Sequence, residues 1–478
     1  MIYIYLDGHT KMNDVQTAVQ IFMPNEKYKP AEGITDEGIT VRSELKSDCA
    51  IAYMYENGKE ICSESYPYTA DESGKSARYA IKAAVYYMLK KKTGITVPWG
   101  MMTGIRPAKR INTYIDEGMT ADEGAKKLIE LYEMKPEKAE LAKRVALAER
   151  EILSKADSDG VSLYIGIPFC PTRCLYCSFT SYPLGVYKNK VDGYIDALIK
   201  ELSYIGESIK GKRLDSIYIG GGTPTSLTAE QLDRLMTNVG EIFDLSALME
   251  YTVEAGRPDT ITADKLKVIK NNGAGRISIN PQTMNDKTLK LIGREHTVDD
   301  IKRVYAEARE AGHKNINMDL ILGLPGECTA EVENTMAEIE KLAPENMTVH
   351  TLAIKRASRL REQLEDYDLA KAVLMEKLLD ISASTAERMN LSPYYMYRQK
   401  NMLGSFENVG YAKKGCESVY NIVIMEETQS IYAAGAGAST KLYDKETGRI
   451  ERVFNVKNVD EYIARIDEMI ERKRNMNI

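Results

Sequence analysis

Two periodicities alternate along the chain, most clearly after residue 160. The short apolar runs "SLYIGI" (162–167), "SIYIGG" (216–221), "YTVEA" (251–255), "RISIN" (276–280) and "INMDLILGL" (316–324) read as buried strands. Between them, "TAEQLDRLMTNVGEIF", "TADKLKVIKNNG" and "TVDDIKRVYAEAREAG" carry apolar residues at helical spacing. Each opens at a threonine able to accept a hydrogen bond from the first turn. The alternation predicts an α/β fold on a parallel sheet, open or closed into a barrel, with ligand-binding groups at the carboxyl ends of the strands.

The flanking regions have another texture. "TAVQIFM" and "CAIAYMYENGKEI" alternate like strands, the second around an Asn57-Gly58 turn. "KSARYAIKAAVYYMLKKKTG" is helical and stops at Gly94, and "PEKAELAKRVALAEREILSKA" is an amphipathic helix starting at Pro136. Beyond residue 365 the pattern weakens. "LAKAVLMEKLLDISASTAERMN" suggests a helix, "YNIVIMEE" a strand, and "SIYAAGAGAS" a strand with a glycine-rich turn. The expected division is an N-terminal α/β accessory domain (1–155), a central strand–helix domain (156–365) and a C-terminal substrate or cap region (366–478).

Charge narrows the partners. With 64 basic against 70 acidic residues the net charge is −6, which speaks against nucleic acid or an anionic membrane as the main partner. Asp7 interrupts the first apolar stretch too early for a secretion signal, and no run of eighteen apolar residues occurs. A cytoplasmic protein with no membrane span is expected. Seven cysteines, three of them clustered, suit metal or redox chemistry in a reducing compartment better than a disulfide framework. Cys49, Cys62, Cys328 and Cys416 read as buried or incidental thiols. The 30 tyrosines against six phenylalanines read first as core.

The clustered cysteines, Cys170, Cys174 and Cys177, lie in "IPFCPTRCLYCSFTSYP" (167–183). Their C-x3-C-x2-C spacing keeps three thiolates on one tight loop, enough to grip three corners of an iron-sulfur cube. A structural zinc ion normally takes four protein ligands, and His296, His313 and Cys328 are the next candidates, all distant in sequence.

This spacing resembles the signature of radical S-adenosylmethionine enzymes. The resemblance implies a partial (β/α)6 barrel, a [4Fe-4S] cluster on the three cysteines, and S-adenosyl-L-methionine on the fourth iron. The flanks "YIGIPFCPTRCLYCSF" and "IYIGGGTPTSL" resemble the subgroup of oxygen-independent coproporphyrinogen III oxidases and their heme-chaperone relatives. For that subgroup the resemblance places the cofactor site at Tyr164, Gly221, Gly222 and Thr223. It extends the site to Glu254 in "TVEAGRPD", Gln282 in "SINPQTMND", Arg294 in "LKLIGREHT", Asp319 in "NMDLILGLPGE" and Ala353 in "VHTLAIK". No catalytic side chain beyond the cluster and cofactor site is implied.

"WGMMTGIRPAKR" (99–110), "ENVGYAKKGCESVYNIVIMEE" and "AAGAGAS" resemble the coproporphyrinogen dehydrogenase branch. This implies decarboxylation of two propionates of coproporphyrinogen III to vinyl groups, with an external electron donor and acceptor. A tetra-anionic porphyrinogen needs basic partners; Arg106, Lys109, Arg110 and Arg398, the last beside Lys400, are the candidates. Phe179 stands two residues after Cys177, where the well-characterised oxidases carry a further cysteine and the heme chaperones carry Phe. A porphyrinogen dehydrogenase, a heme carrier and a radical enzyme on another substrate therefore all stay open at this point.

Overall fold

The computed structural model describes residues 1–24, 26–71, 73–156, 159–179, 181–352, 372–398 and 406–476. The chain divides into two compact units, Met1–Lys143 with Arg398–Phe406, and Arg144–Tyr397 with Glu407–Ile478.

In the first unit, β1 (Ile2–Asp7), β2 (Tyr28–Ala31), β3 (Ile39–Leu45), β4 (Cys49–Glu56) and β5 (Lys59–Pro67) form a sheet in the order β2-β1-β3-β4-β5. Asn57 and Gly58 both take positive φ, 50° and 79°, as the tight turn between β4 and β5 requires. Helices Met12–Phe22 and Lys75–Thr93 cover the sheet, burying Val15, Val19, Ile81 and Val85 against Ile4 and Val41. The expected strand "TAVQIFM" is thus the second half of a helix. Val15, Ala18 and Val19 are buried at i, i+3 and i+4, and a seven-residue window is too short to separate that spacing from alternation.

The second unit is built on β6 (Val161–Ile167), followed by the two-residue pair β7 (Phe169–Cys170) and β8 (Tyr182–Pro183) that brackets the cysteines. Then come β9 (Leu214–Gly221), β10 (Glu250–Gly256), β11 (Arg276–Ile279), β12 (Ile316–Leu322) and β13 (Asn346–Thr351). β6 and β9 to β13 pair in chain order, every pair parallel, with a helix in each connection that carries apolar residues back onto the sheet. This is the (β/α)6 partial barrel. Its helices begin as the threonines foretell: Thr228, Thr262 and Thr297 each accept a hydrogen bond from the third helical N–H.

The last part of the chain extends the same sheet at both edges. β14 (Ser392–Arg398) and β15 (Glu407–Ala412) lie beyond β13, and β16 (Ser430–Ala434), β17 (Ser439–Tyr443) and β18 (Ile450–Phe454) beyond β6. β16 joins β6 parallel, Ser430 opposite Val161, while β15 joins β13 antiparallel. The expected strand "YNIVIMEE" is a helix, Val419–Glu426. Val419, Tyr420, Ile422 and Val423 are all buried, so no polar face betrays the 3.6-residue period. Because the six central strands run one way, Ile167, Gly221, Gly256, Ile279, Leu322 and Thr351 end at one rim.

Candidate active site

The cysteine loop is fastened to that rim by main chain. Gly222 N–H donates to the Ile167 carbonyl at 2.7 Å, Thr223 N–H to Phe169 at 2.8 Å, and Leu175 N–H to Ile292 at 3.0 Å. Leu175 and Tyr176 also pack onto Ile292, Ile321, Leu324 and Leu352, an apolar plug beneath the loop. Cys174 is buried, Cys170 and Cys177 partly so. Burial pushes the Cys170 thiol up to about 11, against a 3.4 Å contact with the Thr223 hydroxyl that favours the thiolate. Burial likewise raises Cys177.

The glycine turn follows β9. Gly221 has φ +112°, open to glycine alone without strain, and a Cβ on Gly222 would lie 2.6 Å from the Phe169 carbonyl oxygen. Side-chain-free backbone here lets the cysteine loop close onto the strand end. Gly221 N–H donates to Glu254 Oε2 at 3.3 Å. Burial, and then the nearby Asp319, push Glu254 up to about 8. Asp319 accepts from Asn317 Nδ2 at 2.7 Å, and His350 Nε2 lies 4.0 Å from its other oxygen. Tyr164 stacks on Tyr218 and Tyr420 with ring centroids 6.3 and 6.1 Å away, and its hydroxyl reaches the turn at Gly221, where an added Cβ would lie 3.2 Å from it.

Two more of the residues singled out in sequence sit at the rim with unusual features. Gln282 holds a left-handed conformation, φ +69°, pinned by its N–H to Asp319 O and its carbonyl to Ile321 N–H, both 2.9 Å. Its buried Oε1 has no hydrogen-bond partner among the described residues. Buried Arg294 donates to Asn280 O at 2.6 Å and to Tyr176 Oη at 3.0 Å, while its Nε has no partner among the described residues. One orphaned acceptor and one orphaned donor are what an amino-carboxylate ligand would satisfy.

A charged cluster escaped the sequence reading although all three of its members lie in the quoted motifs, Arg257 and Asp259 in "TVEAGRPD" and His296 in "LKLIGREHT". Arg257 grips Asp259 in a two-pronged bond, 3.0 and 2.7 Å, and donates to the Thr172 carbonyl at 3.0 Å and to Cys174 Sγ at 3.9 Å. His296 Nδ1 lies 3.3 Å from Asp259. The advance signals were "RPD" three residues past Glu254 and His296 as a distant metal-ligand candidate, with no hint that the two would meet.

Ala353 and Lys400 lie outside the described residues. Arg106, Lys109, Arg110 and Arg398 belong to the first unit. Arg398 is buried, donates to the Met102 carbonyl at 2.6 Å and to that of Gly104 at 3.3 Å, and lies over the Trp99 ring at 5.2 Å. Its guanidinium thus ties the 99–105 stretch. Arg110 is exposed beside the Tyr114 ring.

The residues present fit an iron-sulfur cube and an amino-carboxylate cofactor. Among the described residues, no three Cys, His, Asp or Glu side chains converge tightly enough to hold one metal ion. Three free thiols on one short loop are the donor set that a multi-atom cluster takes from this spacing. Of the distant zinc candidates, His296 is engaged with Asp259, His313 donates to the Leu266 carbonyl at 3.0 Å, and Cys328 to Glu331 at 2.9 Å.

Comparison with known proteins places this site in a family. Residues 164–339 match the model of the Radical SAM superfamily. The oxygen-independent coproporphyrinogen-III oxidase-like protein HemZ of Bacillus subtilis (strain 168) is 40% identical over 446 residues, 92% of this chain and 87% of that protein. The heme chaperone HemW of the same organism is 32% identical, covering 64% of this chain and 76% of its own length. In three dimensions the coproporphyrinogen III oxidase HemN of Escherichia coli aligns with TM-score 0.53 at 22% identity, over 68% of this chain and 73% of its own, and shares the fold. The chain belongs to the radical SAM superfamily, whose members use a [4Fe-4S] cluster and S-adenosylmethionine, and within it to the group of oxygen-independent coproporphyrinogen-III oxidase-like proteins.

Proposed function

We propose that the protein is a radical S-adenosylmethionine oxidoreductase that converts coproporphyrinogen III to protoporphyrinogen IX without oxygen. The observation that carries this reading is the 40% identity over 92% of the chain to a relative named as an oxygen-independent coproporphyrinogen-III oxidase-like protein. That likeness runs through both compact units, beyond the stretch common to the superfamily.

In this reading Cys170, Cys174 and Cys177 hold the cluster. Tyr164, Gly221, Gly222, Thr223, Glu254, Gln282, Arg294, Asp319 and Ala353 form the cofactor site. When bound, cluster and cofactor together supply one-electron chemistry strong enough to remove an unactivated hydrogen atom. The chain's own groups bind and orient. Glu254, with its carboxyl up at about 8, keeps its proton at neutral pH until a cationic group arrives, and ionises against that cation. Gln282 Oε1 accepts from an amino group, and Arg294 answers a carboxylate. The Leu175–Tyr176 plug excludes water beneath the loop.

Each propionate becomes a vinyl group by losing one hydrogen atom from its β-carbon, one carbon dioxide and one electron. The electron leaves to an external acceptor, so an electron donor and an acceptor are the expected protein or small-molecule partners. Arg106, Lys109 and Arg110 are the proposed basic groups for the substrate carboxylates. Arg398 contributes by holding the chain before them through Met102 and Gly104.

A second reading, transfer of heme, is favoured by Phe179 and by the likeness to the heme chaperone. Anaerobic reconstitution with iron and sulfide, then addition of S-adenosylmethionine, a reductant and coproporphyrinogen III, separates the two. Carbon dioxide and 5′-deoxyadenosine appearing together support the oxidoreductase. Stoichiometric heme binding without turnover supports the carrier and ends the first reading.

A further inference from the structure

We propose that Arg257, held by Asp259 and His296, is a positioning residue that fastens the cysteine loop and sets the reduction potential of the cluster through Cys174. The inference rests on the cluster assignment above but not on the identity of the substrate.

The residues come from two places at the rim. Arg257 follows β10 and Asp259 lies in the short turn Pro258–Thr260 just after it, while His296 precedes the helix Val298–Glu310. Among the described residues the guanidinium makes five hydrogen bonds, spread over all three of its nitrogens. Nε and Nη2 take the two Asp259 oxygens, and Nη1 reaches the Thr172 carbonyl, the Thr172 hydroxyl at 2.7 Å and Cys174 Sγ at 3.9 Å. Arg257 is 3% exposed, and the His296 side chain is fully buried. A fixed cation in such a place is screened little by solvent.

Asp259 supplies the counter-charge. Against the burial that opposes ionisation, its bonds to His296 and Arg257 hold the carboxyl well below the usual range. An ionised carboxylate accepts only, so the proton of His296 sits on Nδ1. The imidazole thereby fixes the carboxylate, and the carboxylate fixes the plane of the guanidinium.

A cation and an N–H donor at a ligating sulfur favour the reduced cluster, which carries one more negative charge. The assembly is a tuned balance: Arg257 pulls the potential up, and Asp259 limits how far. The two charges must therefore act with opposite signs, whereas a clamp with only a mechanical role has no reason to.

The test is a redox titration of the anaerobically reconstituted full-length protein, followed by electron paramagnetic resonance, without cofactor or porphyrinogen. Arg257→Gln is expected to lower the reduced-to-oxidised ratio at a fixed potential about tenfold, a midpoint fall of about 59 mV for one electron. Asp259→Asn is expected to move the midpoint upward. Unmoved midpoints, or shifts of both variants in one direction, with iron and sulfide content equal to the wild type, overturn the proposal. Should Arg257→Gln take up no iron, Asp259→Asn decides alone: a rise sustains the proposal, and no change or a fall overturns it. Wild-type protein that binds no cluster overturns this inference and the cluster assignment together, whereas a loaded cluster indifferent to both variants removes only the role of Arg257.

Discussion

Glu254 carries a cost of burial that, among the described carboxylates, Glu327 shares. Its ordinary value is 4.5, and burial next to Asp319 raises it to about 8 in the folded protein. Between those values the folded state binds more protons than the unfolded one, so the stability of the cofactor-free protein falls as pH rises, by at most about 1.4 kcal/mol per pH unit for one group. Below about 4.5 the group is protonated in both states and the effect is gone. Glu254→Gln is therefore expected to flatten the melting temperature against pH between 4.5 and 8, and to raise it at pH 8. An unchanged slope in calorimetry would show that Glu254 ionises normally. Its place in "TVEAGRPD" was named through the family resemblance, because a single carboxylate at a strand end reads by itself as a cap. Its neighbours were less legible. Arg257, Asp259 and His296 meet residue 172 only through folding, and His296, a metal or heme ligand candidate on sequence alone, is occupied by Asp259.

Among the elements, the helix caps differ in what depends on them. Thr297 caps an exposed helix start and forms a capping box with Asp300. Ser418 caps the buried helix Val419–Glu426 and also donates to Glu250 Oε1 at 2.9 Å, while the Tyr420 N–H takes Oε2 at 2.9 Å. Removing the Ser418 hydroxyl takes away a cap and a partner of a buried carboxylate at once. Urea unfolding is expected to show a loss of about 1 kcal/mol for Thr297→Ala and about 2 kcal/mol or more for Ser418→Ala. Equal losses would mean that Thr252, which also donates to Glu250 Oε1, satisfies the carboxylate by itself. The same contrast explains which elements sequence discloses. Amphipathic helices such as Ala229–Ile242 have a polar face that fixes their period, whereas Val419–Glu426 is apolar on nearly every side and "TAVQIFM" too short a window.

At the scale of the whole molecule, the parallel core followed directly from the run of strands and helices, but its edges did not. Nothing local in "SIYAAGAGAS" says that it pairs with "SLYIGI" far upstream; that is settled by which strand edge remains free once the six parallel strands are in place. A chain ending after Glu427 lacks β16, β17 and β18 and leaves β6 unpaired on that side. Size-exclusion chromatography and iron analysis are expected to show a self-associating product with little bound iron. A monomer that loads iron fully would show that β16 is dispensable.

The pairing of β6 with β16 also sets a schedule for biosynthesis. The strand that leads into the three cysteines cannot be completed until residue 434 has left the ribosome, and at ~5–20 residues per second that is on the order of tens of seconds after residue 177 is made. For that interval the nascent chain carries three unclaimed thiols on an unfinished sheet. Iron and sulfide offered in that interval meet thiols on an unfinished sheet, and so does oxygen.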